Sequence, residues 1–187
     1  MASAFDPAAA AKAGWTEAEL SWEALQESAA ALAAQGRHDE AAPLWGKALF
    51  LARTHFSRDD PRLATSLANH AVALRRAGND GIARDLFAEA LKIWDASAPW
   101  IDRLRVESQA RSSLFHLRLE ARHRGVYAKT ARARLHRFAA EARATVAALA
   151  EGTPPPATGF SRWKGEKPPT YSDIRKLLAA ALLVAPG

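Results

Sequence analysis

Residues 33–52, AAQGRHDEAAPLWGKALFLA, and residues 75–94, RRAGNDGIARDLFAEALKIW, are two versions of one pattern set 42 positions apart. The register extends upstream. Leu25, Ala29, Leu32, Gly36, Ala41, Trp45, Ala48 and Leu49 answer to Leu67, Ala71, Leu74, Gly78, Ala83, Phe87, Ala90 and Leu91. Self-similarity at a fixed period marks a chain built from stacked units, each too small to bury its apolar face alone.

The unit reads as a helix hairpin. Leu25, Ala29 and Leu32 share one face of a first helix, and Ala41, Trp45 and Ala48 form the inner stripe of a second. Gly36 and Gly78 stand between the two helices, where a left-handed residue closes a helix without steric cost. Small alanines let the paired helices approach closely, and the aromatic at 45 or 87 fills the space between hairpins. Thr16 to Glu19 reads as a capping box that opens the first helix. Pro61, with its fixed φ, suits the first turn of the third.

These residues resemble the tetratricopeptide repeat family. That family places a small residue in the first helix, Gly at the turn, then Ala, a large residue and Ala in the second helix. Ala29, Gly36, Ala41, Trp45 and Ala48 fill those places here, and Ala71, Gly78, Ala83, Phe87 and Ala90 fill them again. The family's usual period is about 34 residues, so the longer spacing is similar to the repeats of kinesin light chains and their bacterial relatives. Two family features are missing. Leu25 and Leu67 stand where Trp is common, and His38 and Asp80 replace the aromatic of the turn. The fold this resemblance implies is all-α: antiparallel helix-hairpin repeats in a right-handed superhelix.

The expected organisation is a lead segment at 1–16 and a repeat domain at 17–150. Its hairpins fall at about 17–60, 61–98 and, in divergent form, 99–150. Shifting Ala71, Leu74 and Gly78 by 42 lands on Ser113, His116 and Glu120, which keep little of the pattern. Helical periodicity nevertheless continues through Leu114, Leu117 and Ala121, and then through Ala131, Leu135, Phe138, Ala142 and Val146. Gly125 is the expected turn between them. Residues 151–170 form a Pro/Gly-rich linker, and 171–187 a last helix with Ile174, Leu177, Leu178, Ala181 and Leu182 on one face. That helix either caps the repeat stack or docks on a partner, including a second copy of the chain.

Composition narrows the function. With no cysteine, disulfides, thiolate metal sites and a Cys nucleophile are excluded. No basic-then-apolar leader opens the chain, and no apolar run approaches about 18 residues; a cytoplasmic protein with no membrane segment is expected. The formal charge of +6 is uneven. Residues 1–50 hold three basic residues against seven acidic ones, whereas 101–150 hold eleven against four. The second stretch, which includes Arg103, Arg111, Arg118 and Arg122, is either a solvated face of a good helix former or an attachment surface for nucleic acid or another acidic partner. Few aromatics interleave with it, so any nucleic-acid binding is expected to be weak and non-specific.

No catalytic constellation is visible. Glu120 to His123 matches E-x-x-H with His116 one turn earlier, but the second such motif that a di-iron bundle requires is absent. No enzyme activity, cofactor or metal is expected. The resemblance instead implies a scaffold, adaptor or regulator that holds another protein or a peptide in the concave groove lined by the first helix of each hairpin. The positions it implies are Glu23, Gln26, Glu27, Ala30 and Ala33, then Thr65, Ala68, Asn69, Val72, Arg75 and Arg76. Asn69 would bond a bound peptide's backbone, or else join two helices. Arg75 and Arg76 would hold its carboxylate, or else face their own helix end. The carboxylate clamp of chaperone-binding relatives is not expected, since Gln26 and Ala30 occupy its Lys and Asn positions.

Overall fold

The structure, a computed structural model, describes residues 16–103 and 124–154. Helix α1 spans Glu17–Ala34, α2 His38–His55, α3 Pro61–Arg76, α4 Asp80–Asp95, α5 Ala98–Arg103 and α6 Arg124–Glu151. No strand occurs among the described residues. The pairs α1 with α2 and α3 with α4 form two hairpins, α2 packs on α3 to stack them, and α6 covers α4 and α5.

Local chemistry sets the boundaries. The amide of Glu19 donates to Thr16 Oγ1 at 3.2 Å and the amide of Thr16 to Glu19 Oε2 at 2.8 Å, a complete capping box. Asp60 caps α3 by accepting from the amide of Arg62 at 2.9 Å, with Pro61 as its first residue. Both hairpin turns close in the same way. Gly36 and Gly78 adopt φ of +76° and +80°. Each donates back to the third residue before it (Ala33 and Arg75), while the residues after them, Arg37 and Asn79, donate to Leu32 and Leu74 at 2.9 Å. This double closure satisfies carbonyls that a helix end would leave bare. Gly152, at φ +72°, ends α6 through the same two bonds, to Leu149 and Ala148.

The repeat stripe is the core. Ala29, Ala41, Ala48, Ala71, Ala83 and Ala90 are completely buried, and Trp45 and Phe87 nearly so. Trp45 packs with Ala29, Ala41 and Ala73, so it bridges the two hairpins. Leu135, Ala139, Ala142, Val146 and Leu149 extend the main core from α6. That stripe agrees with the expected one at Leu135, Ala142 and Val146, while Phe138 is only partly buried.

One expectation is corrected. Gly125 is not a turn; it lies in the first turn of α6, which starts at Arg124. Glycine there lacks a demanding φ, and the first turn of a helix tolerates it. The expected first helix of the third hairpin, the E-x-x-H motif, most of the 151–170 linker and the C-terminal helix at 171–187 lie outside the described residues, as do positions 1–15 of the lead segment.

Close helix approach makes the alanines sensitive to size. Replacing Ala41 or Ala83 with Leu inserts three carbons where no space exists, and thermal melts should show a loss of roughly 1–3 kcal/mol for each. Gly78→Ala meets no atom within 4 Å. Its positive φ should still cost about 1–2 kcal/mol, which would separate backbone strain from crowding.

Candidate functional site

The face expected to line the groove is mostly spent inside the protein. Gln26, Thr65, Ala68 and Asn69 have no exposed surface, and Glu23 and Val72 retain 5% and 8%. Thr65 and Asn69 therefore do not project into an open groove, which corrects the expectation drawn from the resemblance. The reason is a polar ladder between α1 and α3. Trp22 Nε1 donates to Ser66 Oγ at 2.7 Å, Gln26 Nε2 donates to the same oxygen at 3.0 Å, and Ser66 donates to the Arg62 carbonyl at 2.9 Å. A hydroxyl has one donor and two acceptor sites, so Ser66 is saturated. Asn69 Nδ2 continues the ladder by donating to Gln26 Oε1 at 3.0 Å. Of the two roles open to Asn69, the helix–helix bond is the one formed.

A buried charge cluster lies one turn away. Arg62 donates to Glu19 Oε1 at 2.9 Å and to Asp60 Oδ2 at 2.6 Å, with all three side chains at most 8% exposed. Its guanidinium carbon lies 3.8 Å from the centre of the Phe56 ring. Trp22 meets that ring edge-on at 5.6 Å. Burial works against the Arg62 charge, but the bonds and fields of Asp60 and Glu19 outweigh it and hold the guanidinium firmly protonated. Sequence reading missed Trp22, Arg62 and Ser66. Trp22 and Gln26 lie one turn apart on α1, but only packing pairs them with Ser66, and Glu19 with Arg62.

The second helix end holds a different arrangement. Arg75 donates to the carbonyl oxygen of Leu149, and to that of Ala150 at 2.8 Å, so it crowns the last turn of α6. Its guanidinium also lies 4.8 Å from the centre of the Phe87 ring. A cation at a helix C-terminus is favoured by the exposed carbonyls and the helix dipole; Arg75 serves the end of α6 as well as its own helix. Arg76 beside it is exposed and joins no ion pair among the described residues. Around these two lies a cavity of about 430 Å³ lined by Val72, Arg75, Arg76, Leu149 and the Gly152–Pro154 backbone turn. Its floor is apolar, its charges are both positive, and no acidic side chain lines it among the described residues. Glu27 is exposed on α1, and Ala30 and Ala33 are half-buried. Arg111 and Arg118 lie outside the described residues. The described residues contain no group of His, Asp or Glu placed to hold a metal ion, and none of their helices is long and apolar enough to cross a membrane.

These placements separate structural from available groups. Asn69→Ala strands the Gln26 carbonyl and should lower unfolding free energy by about 1–3 kcal/mol. Arg62→Ala leaves two buried carboxylates uncompensated and should cost about 3–5 kcal/mol. Urea unfolding followed by circular dichroism measures both, and Arg62→Ala should be the larger loss.

A family model for the tetratricopeptide repeat matches residues 23–96, which run from the middle of α1 to the end of α4. The comparisons with curated proteins and with solved structures return no match. The match spans most of both hairpins that the geometry pairs, with Gly36 and Gly78 at their turns and Trp45 between them. Repeats of this family generally mediate contacts between proteins. Residues 23–96 are thus similar to the tetratricopeptide repeat family.

Proposed function

We propose that this chain is a protein–protein interaction module, a scaffold, adaptor or regulator, that holds a segment of a partner protein against the end of α3. The observation that carries this reading is the cavity at Val72, Arg75 and Arg76, where an apolar floor adjoins an exposed cation with no ion-pair partner among the described residues. Val72 and Leu149 suit an apolar side chain of the segment. Arg76 suits a carboxylate beside it, because a guanidinium offers several donors in a fixed plane. Arg75 contributes positive potential while its donors hold α6. The acidic residues of the first hairpin favour placing the segment's acidic end away from α1.

The reading uses Val72, Arg75 and Arg76 from the residues expected in the groove and assigns Thr65 and Asn69 to the fold. The nucleic-acid alternative rests on arginines such as Arg111 and Arg118, and no described feature favours it.

Partners are first captured from lysate on the immobilised chain, and the strongest is then purified. Arg76→Glu should weaken its binding by about tenfold or more, near 1.4 kcal/mol, and leave the melting temperature unchanged. Equal affinity for both proteins would remove the cavity from the binding surface. Arg75→Ala should instead lower the melting temperature, because two carbonyls at the end of α6 lose their donor.

A further inference from the structure

The joint between the two hairpins, where α2 lies against α3, contains a titratable ring that neither the fold nor the proposed binding surface accounts for. His70 stands on α3 and is half-buried. Its Cε1–Nδ1 edge faces α2: a Cβ on Gly46 would stand 3.4 Å from Cε1 and 3.8 Å from Nδ1. Gly46 lies in the interior of α2, a position where glycine costs roughly 0.5–1 kcal/mol relative to alanine. The pairing of His70 with Gly46 is confined to this joint. Their counterparts in the repeat register, 42 positions away, are Ser28 and Ala88, both exposed.

The nitrogen on that edge is shut from solvent. Nδ1 of His70 meets no hydrogen-bond partner among the described residues. With its single proton on Nε2, the neutral ring leaves Nδ1 as a bare acceptor. Protonation turns Nδ1 into a donor and points it at the backbone of α2, whose carbonyls already accept within their own helix. The surrounding charges give it no relief. Arg53 of α2 acts on the ring, and among the described residues no carboxylate does. Lys47, next to Gly46 on α2, is a second cation, and Glu89 of α4 is bonded to Arg53 at 2.8 Å. The helix α1 meets α3 elsewhere, at Arg62, Ser66 and Asn69, and α6 meets it at Arg75. Burial first, and then the Arg53 charge, hold the His70 imidazole below its ordinary range.

We propose that His70 is an acid-sensitive latch in the joint between the hairpins: neutral, it lets α2 lie close on α3, and protonated, it loosens the two helices. The folded protein takes up this proton less readily than the unfolded chain does, so acid favours the loosened side. The stability that depends on the neutral ring is complete above the value of an ordinary histidine, about 6.5. It is lost as pH falls through the lower value of the folded protein. The same joint holds Trp45 against Ala73, so loosening it releases the first hairpin from the second. Mild acid thus acts on how the repeats stack, at a position outside the cavity beside Arg76.

Titration of the full chain by nuclear magnetic resonance tests the premise. The His70 ring should titrate at lower pH in the folded protein than in the same chain unfolded by urea. Urea unfolding followed by circular dichroism, between about pH 7.5 and pH 5, tests the consequence. The midpoint for wild type should fall across that range. His70→Gln, neutral at every pH, should lose less, and His55→Gln, at an exposed position at the end of α2, should lose as much as wild type. Amide hydrogen exchange, corrected for the intrinsic effect of pH, locates the change. Acid should raise exchange along α2 and α3 more than along α4 and α6, and His70→Gln should abolish that difference. A His70 ring that titrates at or above its unfolded value overturns the proposal. So does an equal loss of midpoint in wild type and His70→Gln, or exchange that rises alike in all the helices. The titration and the exchange pattern of wild type decide the matter even where His70→Gln fails to fold.

Discussion

The oxygen of Ser66 is the point on which the stacking of the two hairpins turns. It accepts from Trp22 and Gln26 of α1 and donates to the Arg62 carbonyl of its own helix. Apolar burial alone would let two alanine-rich helices slide, because small side chains interlock weakly. A saturated hydroxyl between them allows one register, since sliding would strand the indole N–H, an amide and the hydroxyl in a place water cannot reach. The carboxylates of Glu19 and Asp60 fix the same register a turn away by enclosing Arg62. Both groups of contacts span α1 and α3. The polar part of the interface therefore specifies the arrangement that alanine packing makes compact.

The remainder of the described fold follows from that fixed pairing. With α1 held on α3, Trp45 enters the space between the hairpins, and α4 offers its apolar face to α6. Arg75 then ties the last turn of α6 to the end of α3. Surface ion pairs such as Arg53 with Glu89 and Arg143 with Asp95 join the same helices, at 2.8 and 2.7 Å. Exposed pairs of this kind typically contribute between about 0 and 1 kcal/mol each. They also show how part of the positive charge is used: Arg53, Arg103 and Arg143 each face a carboxylate on a neighbouring segment.

The two ends of the repeat stack have different chemistry. At the end of α3 an apolar floor sits beside Arg75 and Arg76. At the start of the stack, α1 and α2 present an open groove lined by Leu25, Pro43, Phe50 and Leu51, with Lys47 its one charged residue among those described. Neither surface overlaps the polar ladder.

The sequence by itself determined the hairpins. Gly36 and Gly78 announce left-handed turns, Thr16 and Glu19 a helix start, and the Ala–aromatic–Ala spacing an inner stripe; each is a local rule acting over one or two helical turns. The family resemblance was legible for the same reason. The fate of the polar residues on the first helices was decided by tertiary structure alone. Asn69 and Thr65 have the same helical spacing whether they face a groove or a neighbouring helix, and only the packing of α1 on α3 buries them. Arg75 and Arg76 are adjacent in sequence and alike in chemistry, yet the end of α6 arrives over one and leaves the other in water. Gly125 illustrates the converse: glycine permits a turn but does not impose one, and here it lies in the first turn of a helix. Local chemistry fixes where helices begin and end, but which polar groups remain available to a partner depends on residues brought together from about 40 to 75 positions away along the chain.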